Sequence, residues 1–180
     1  MKFARIAGFA LAAALVAPTF AAENAYLFLK GQKSGNINGS VTLKGFENSI
    51  QVDSVAEDVV SPRDPQSGLP TGQRLHKPLI LVISLDKSWP LLMNVMSTNE
   101  NLANAEIRFV VPDARTGANA VQRTIRLTNA NIAEIQDYTV DAATGTPKGS
   151  VVKLQLTYQK IEWTWTAGGI TAMDDWEARI

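Results

Sequence analysis

The run "VVKLQLTYQKIEWTWT", residues 151–166, narrows the choice of folds more than any other part of the chain. Val152, Leu154, Leu156 and Tyr158 share one parity, whereas Ile161, Trp163 and Trp165 share the other. A period of two sends successive side chains to opposite faces of a strand, so each half reads as a strand with one buried face. The change of phase predicts a β-bulge near Gln159 and Lys160, which bends the strand around a corner. Such corners belong to barrels and sandwiches.

Other segments repeat the period. "AYLFLK" (25–30) and "SVTLKG" (40–45) flank a turn-rich stretch with Gly31, Gly35 and Gly39. "SIQVDSV" (49–55), "AEIRFVV" (105–111) and "RTIRLT" (123–128) alternate, and "IAEIQDYTV" (132–140) does so less cleanly. "LILVISL" (79–85) is nearly continuous in apolar β-formers, so both of its faces are expected to be covered. One helix is predicted: Ser88 caps it, Pro90 fits its first turn, and Leu91, Leu92, Val95 and Met96 form its apolar stripe. Turn signals such as "DAATGTPKGS" (141–150) separate the strands. The expected fold is mainly β, a small antiparallel barrel or sandwich with one α-helix and a long protruding loop.

Residues 1–21 read as a signal peptide and 22–180 as one domain. Lys2 and Arg5 precede a 12-residue apolar run, Ile6–Ala17, and Thr19 and Ala21 offer small residues at a cleavage site. Twelve residues at about 1.5 Å each are too short to span a bilayer, so no stable membrane insertion is expected after cleavage. The chain carries 17 Lys and Arg against 17 Asp and Glu; loss of Lys2 and Arg5 leaves 15 against 17. That mildly acidic balance argues against a nucleic-acid partner.

Candidate chemistry is sparse. HExxH, GxSxG, GxGxxG and Walker A sequences are absent, and "GTPKGS" (145–150) has the wrong spacing for a phosphate loop. Without cysteine there are no disulfides, thiolate metal sites or Cys-His pairs. His76, the single histidine, lacks triad partners in sequence and reads as a packing or hydrogen-bonding residue. Asp174, Asp175 and Glu177 read as solvated carboxylates rather than a cation site. No catalytic, cofactor-binding or metal-binding residue is assigned. Trp163 and Trp165, on one strand face, are core or interface aromatics, with a sugar-stacking platform as the competing reading.

"SPRDPQSGLPTGQRLHKPL", residues 61–79, is the long loop. It holds four prolines and the basic residues Arg63, Arg74, His76 and Lys77, with Asp64 as its one carboxylate. Proline restricts the chain before any contact forms, which suits an arm laid on a neighbouring molecule. Arg63, Asp64, Arg74, His76 and Lys77 are the expected oligomer contacts.

Taken in order, "SVTLKG", "SIQVDSV", "SPRDPQSGLPTGQRLHKPLIL", "LDKSWPLL", "TYQKIEWTW" and "GGITAMDDWEA" resemble the haemolysin-coregulated protein family, the tube protein of the type VI secretion system. The resemblance implies a small β-barrel with one helix. It also implies a homohexameric ring, rings stacked into a tube inside a contractile sheath, a spike protein at the tip, and small effectors within. It implies no catalysis and no cofactor. Relatives of this kind lack a cleavable signal, so the compartment depends on residues 1–21: periplasmic or secreted if the signal is used, otherwise cytoplasmic before secretion. The alternative is an exported periplasmic binding module that holds a glycan or peptide at Trp163 and Trp165.

Overall fold

The structure, a computed structural model, describes residues 23–113, 116–139, 150–176 and 178. The expected signal segment 1–21, Glu177 and most of the turn 141–150 lie outside the described residues. The elements in chain order are β1 (Asn24–Gly31), β2 (Gly35–Ile37), β3 (Ile50–Ala56), β4 (Val59–Val60), β5 (Leu75–His76), β6 (Leu79–Ser84), α1 (Trp89–Ser97), β7 (Leu102–Pro112), β8 (Asn119–Thr128), β9 (Asn131–Thr139), β10 (Ser150–Thr157), β11 (Lys160–Trp165) and β12 (Ile170–Asp175). Ten strands form one sheet in the order β12-β11-β8-β7-β1-β3-β6-β10-β9, with β2 beside β1; β4 and β5 pair apart from it. Every pairing is antiparallel.

This order cannot be laid flat. Only Asn129 and Ala130 separate β8 from β9, and only Tyr158 and Gln159 separate β10 from β11. Such a link spans at most about 10 Å. On a flat sheet β8 and β9 would be six strand spacings apart, roughly 29 Å. The sheet therefore rolls into a barrel, and one face becomes the interior. Leu27, Ile50, Leu79, Leu81, Ile107, Leu127, Leu154 and Ile161 line it, with side chains from nearly every strand meeting in one core.

The phase change at residues 158–161 has a different cause from the predicted bulge. At Tyr158 and Gln159 the chain leaves the neighbours of β10, which are β6 and β9, and joins those of β11, which are β8 and β12. A bulge adds a residue within one pairing, whereas here the pairing itself changes. Register shifts fall elsewhere, between Lys30 and Gly31, Val52 and Ser54, Phe109 and Val110, and Gln155 and Leu156.

"SVTLKG" is not a strand. Strand β1 already has β3 and β7 on its two edges, so this segment finds no ladder to join. Val41 and Leu43 instead pack with Phe46 onto the outer face of the wall, where Phe46 stacks on Tyr26 at 4.9 Å between ring centroids. Gly39 makes the close approach that seats this flap. A Cβ there would lie 2.2 Å from the Ser49 carbonyl oxygen.

Strand β6 is covered on one face rather than two, because a barrel has a single interior. Leu79, Leu81 and Ile83 are buried, and Ile80 and Val82 on the outer face are half-buried.

Helix α1 packs beside β9 and buries Leu92 and Val95, with Trp89 and Met96 against the same core. Leu91 falls outside the stripe, and the Ser88 side chain does not cap the helix. Its hydroxyl donates to Asp86 Oδ1, which also accepts the Ser88 N–H at 2.7 Å. Beyond the helix, Asn99 takes φ 50°, a left-handed stop, and Glu100 turns back to the β1–β2 hairpin. The Glu100 carboxylate accepts the Lys33 and Ser34 N–H groups at 2.6 and 2.7 Å and the Ser34 hydroxyl at 2.6 Å.

Candidate functional site: the 61–78 arm and its root

The loop between β3 and β6 is a hairpin arm. Val59 pairs with His76 and Val60 with Leu75; farther out, Arg63 bridges Pro70. The Thr71 N–H donates to Pro62 O at 3.0 Å and the Asp64 N–H to Leu69 O at 2.9 Å. At the tip, Asp64 Oδ1 accepts the Gln66 N–H, the Ser67 N–H and the Ser67 hydroxyl, at 3.0, 2.7 and 2.9 Å. This is an aspartate turn of the kind short carboxylates form with their own backbone. The Ser67 backbone bond, then its hydroxyl, hold the Asp64 carboxyl below its ordinary range. The arm is thus shaped by its own bonds while its side chains remain largely in solvent, Leu69 at 65% exposure.

The root is built differently. Arg74 forks onto both oxygens of Asp174 on β12, and its Nη2 also donates to the Asp175 carbonyl at 3.1 Å. His76 Nε2 lies 2.7 Å from Asp174 Oδ2, and Nδ1 lies 3.0 Å from the Tyr158 hydroxyl. An ionised carboxylate only accepts, so Nε2 carries a proton donated to Asp174, while Nδ1 shares a hydrogen bond with the Tyr158 hydroxyl. The imidazole, 3% exposed, sits among Tyr158, Trp163 and Trp176 with ring centroids 5.7, 6.4 and 5.2 Å away. The Trp163 indole N–H donates to Glu57 Oε1 at 2.7 Å, and Lys77 pairs with Asp58.

The charges follow from these contacts. The Arg74 hydrogen bond, against the opposing effect of burial and with help from His76, brings the Asp174 carboxyl down to about 2. Burial, then the nearby Glu57 and Asp174 charges, push the Tyr158 phenol up to about 12. Chemically the root is a lock: an enclosed hydrogen-bond chain, Tyr158–His76–Asp174, terminated by the Arg74–Asp174 ion pair. Only a cavity of about 60 Å³ adjoins His76.

The five basic and acidic residues expected at an oligomer contact thus occupy three settings. Arg74, His76 and Lys77 bind partners within their own chain, Asp64 binds its own turn, and Arg63 stands in solvent near the tip with Nη1 donating to Gly68 O at 3.2 Å. Trp163 rests against the core, while Trp165 is partly exposed beside Ile170 and Arg123 in a groove of about 220 Å³. Sequence reading missed Tyr158, Glu57, Asp58 and Trp176 as root residues, and weighed Asp174 only as a metal ligand. About a hundred residues separate Arg74 from Asp174, and no local spacing can encode that pairing. A usable signal was present in another form: "SPRDPQSGLPTGQRLHKPLIL", "TYQKIEWTW" and "GGITAMDDWEA", three of the segments that carry the family resemblance, meet at this root.

Residues 26–165 match the family described as "Type VI secretion system effector, Hcp". The chain is 34% identical over 173 residues to the "Major exported protein" of Pseudomonas aeruginosa, covering 88% of this chain and 98% of that protein. It is similar to a crystallised Hcp protein with a TM-score of 0.79 and 31% identity, covering 88% of this chain and all 100% of that one. Its likeness to an Hcp1 protein from the E. coli EAEC 042 pathovar gives a TM-score of 0.76 at 27% identity, covering 85% and 98% of the two chains. Each of these three likenesses spans nearly the whole of the related chain.

Proposed function

The chain belongs to the Hcp family of the type VI secretion system, and from that premise we propose that it builds the inner tube as a homohexameric ring whose copies stack. The observation that carries this reading is the end-to-end match to Hcp structures, which leaves almost no part of the related chain unaligned. Two features of this molecule support it. The strand order ends on two strands with one neighbour each, β12 and β9, and an uncovered strand edge invites pairing with another chain. A head-to-tail contact repeated around a closed ring covers such edges in every copy. The arm supplies a preset element for contact beyond the barrel.

In this reading the lock at His76 is structural and the protein catalyses nothing. The hydrogen-bond chain Tyr158–His76–Asp174 mimics a catalytic relay, but its imidazole is enclosed and both ring nitrogens are occupied. The glycan or peptide module is the weaker alternative, because the indole N–H of Trp163 is already held by Glu57. The proposed partners are the spike protein, the contractile sheath and small effectors carried within the ring. The destination is outside the producing cell, with residues 1–21 acting as a cleavable signal where a separate export route is used.

Negative-stain electron microscopy with native mass spectrometry tests the ring. Sixfold rings and a hexamer mass are expected; a homogeneous monomer at high concentration would overturn the reading. The N-terminal residue of the protein isolated from each compartment tests the signal: a start at Ala22 or Glu23 in the periplasm supports its use, and Met1 retained in the cytoplasm overturns it.

A further inference from the structure

We propose that the groove beside Trp165 and Ile170 is the seat of the chain's own apolar leader, residues 6–17. An uncut leader lying there keeps β12 from closing a ring, an inference that rests on the ring reading. The groove continues the core. In register, Ile125, Trp163 and Ala172 stand side by side, as do Arg123, Trp165 and Ile170. Directly paired residues share a face, and so do residues two apart on one strand. Ile125 is buried in the barrel core, so both rows belong to the interior face. Along the second row the cover fails. Trp165 and Ile170 are exposed, and among the described residues only β8, β11 and β12 line the space of about 220 Å³. An open apolar strip continuous with a core gains from an apolar cover.

The position of β1 identifies the occupant. Ala25 pairs with Phe109 and Phe109 with Arg123, so the start of β1, the end of β11 and the start of β12 lie at one end of the barrel. Glu23, two residues before Ala25, accepts from Arg123 Nε and Nη2 at 3.1 Å each. The Arg123 guanidinium lies 3.5 Å from the Phe109 ring centroid. One arginine thus lines the groove and also fixes the point where the leader joins the barrel. The leader itself lies outside the described residues. Between Arg5 and Glu23 the sequence carries no charge, and Ile6, Phe9, Leu11, Leu15 and Val16 are large and apolar. From β1 to β11 is three strand spacings, roughly 14 Å. Residues 18–22, which join the apolar run to Glu23, reach up to roughly 17 Å. A segment on so short a tether meets the groove at an effective concentration on the order of millimolar, ahead of a second copy. Ile170 and Ala172 belong to β12, the edge a neighbour must cover, so leader and neighbour compete for one surface. Cleavage after Ala21 frees it.

The chain has no cysteine, so an introduced pair reports without background. The full-length variant Leu15→Cys with Ala172→Cys carries a protease site after Ala21 and is oxidised at low protein concentration. It is expected to form a disulfide within one chain, a monomer on non-reducing gels with both thiols closed to a maleimide. Adding Ile170→Asp, a charge at an exposed position outside the core, should lower the disulfide yield about tenfold. Native mass spectrometry should find the uncut chain monomeric, oxidised or reduced. The cut chain should stay monomeric while the disulfide holds and become hexameric once it is reduced. Thiols that stay reactive, a disulfide that joins two copies, or a yield unmoved by Ile170→Asp overturn the seat and leave the ring standing. Hexamers from the uncut, reduced chain overturn the block on closure. A chain that stays monomeric after cutting and reduction overturns the ring reading, and this inference with it.

Discussion

Asp174 carries the heaviest demand of any single residue, since Arg74 and His76 both depend on its charge. Its folded carboxyl titrates at about 2 against 3.8 for the free group, so the folded state binds its proton less tightly. Its stabilising contribution is present above pH 4 and is lost as pH falls from about 4 to about 2, an amount on the order of 2 kcal/mol. Asp174→Asn should lose that amount at pH 7 in urea unfolding and show a flatter stability profile across the acid window. Tyr158 behaves in the opposite sense. Its phenol is raised from 10.0 to about 12, so its contribution holds below pH 10 and disappears as pH rises through 12. Tyr158→Phe should remove that alkaline decline, as read by thermal melts between pH 9 and 12. Gly39→Ala tests sterics alone, because its Cβ collides with the backbone at Ser49. A loss of about 3 kcal/mol and a melting temperature roughly 10 °C lower are expected. None of these three demands was readable from spacing. Asn38-Gly39-Ser40 looks like a glycosylation sequon, and only the folded backbone reveals that the glycine is there for clearance.

At the level of elements, strands with one buried face were legible and irregular ones were not. Alternation located β3, β7, β8, β10 and β11, because burial on one side writes itself into every second residue. It also suggested a strand at "SVTLKG", where Val41 and Leu43 alternate for a flap that packs by side chains and bonds its backbone to Asn48 and Ser49 rather than to a neighbouring strand. Parity reports which side is apolar and says nothing about which strand edge is vacant. The same limit explains the corner at Tyr158 and Gln159, where a swap of neighbours leaves the signature expected of a bulge. The arm was legible as a loop from its prolines, and its hairpin form comes from bonds made at Asp64. Because the arm beyond Arg63 contributes no core residue, deletion of Gln66 to Thr71 should shift the melting temperature by no more than about 2 °C. Stacked rings should disappear from the same preparation in electron micrographs.

For the whole molecule, the sheet that encloses the core also exposes its last strand. Ile170 and Met173 on β12 are 67% and 65% exposed, apolar side chains on a strand with one neighbour. In the proposed ring that strand is covered. Met173→Lys, which keeps strand length and adds a charge at the edge, should shift the population from hexamer toward monomer in native mass spectrometry while leaving the far-ultraviolet dichroism unchanged. The strand order has a consequence for synthesis as well. The first strand made, β1, is flanked in the finished wall by β3 and by β7, and about 70 residues lie between the end of β1 at Gly31 and the start of β7 at Leu102. At roughly 5–20 residues per second, a ribosome needs several seconds to deliver the partner after β1 has emerged. Through that interval the nascent chain holds an open, half-made wall with low local order, which slows folding and favours early capture by a chaperone. The topology that closes the wall around the core thus also delays that closure until β7 has been made.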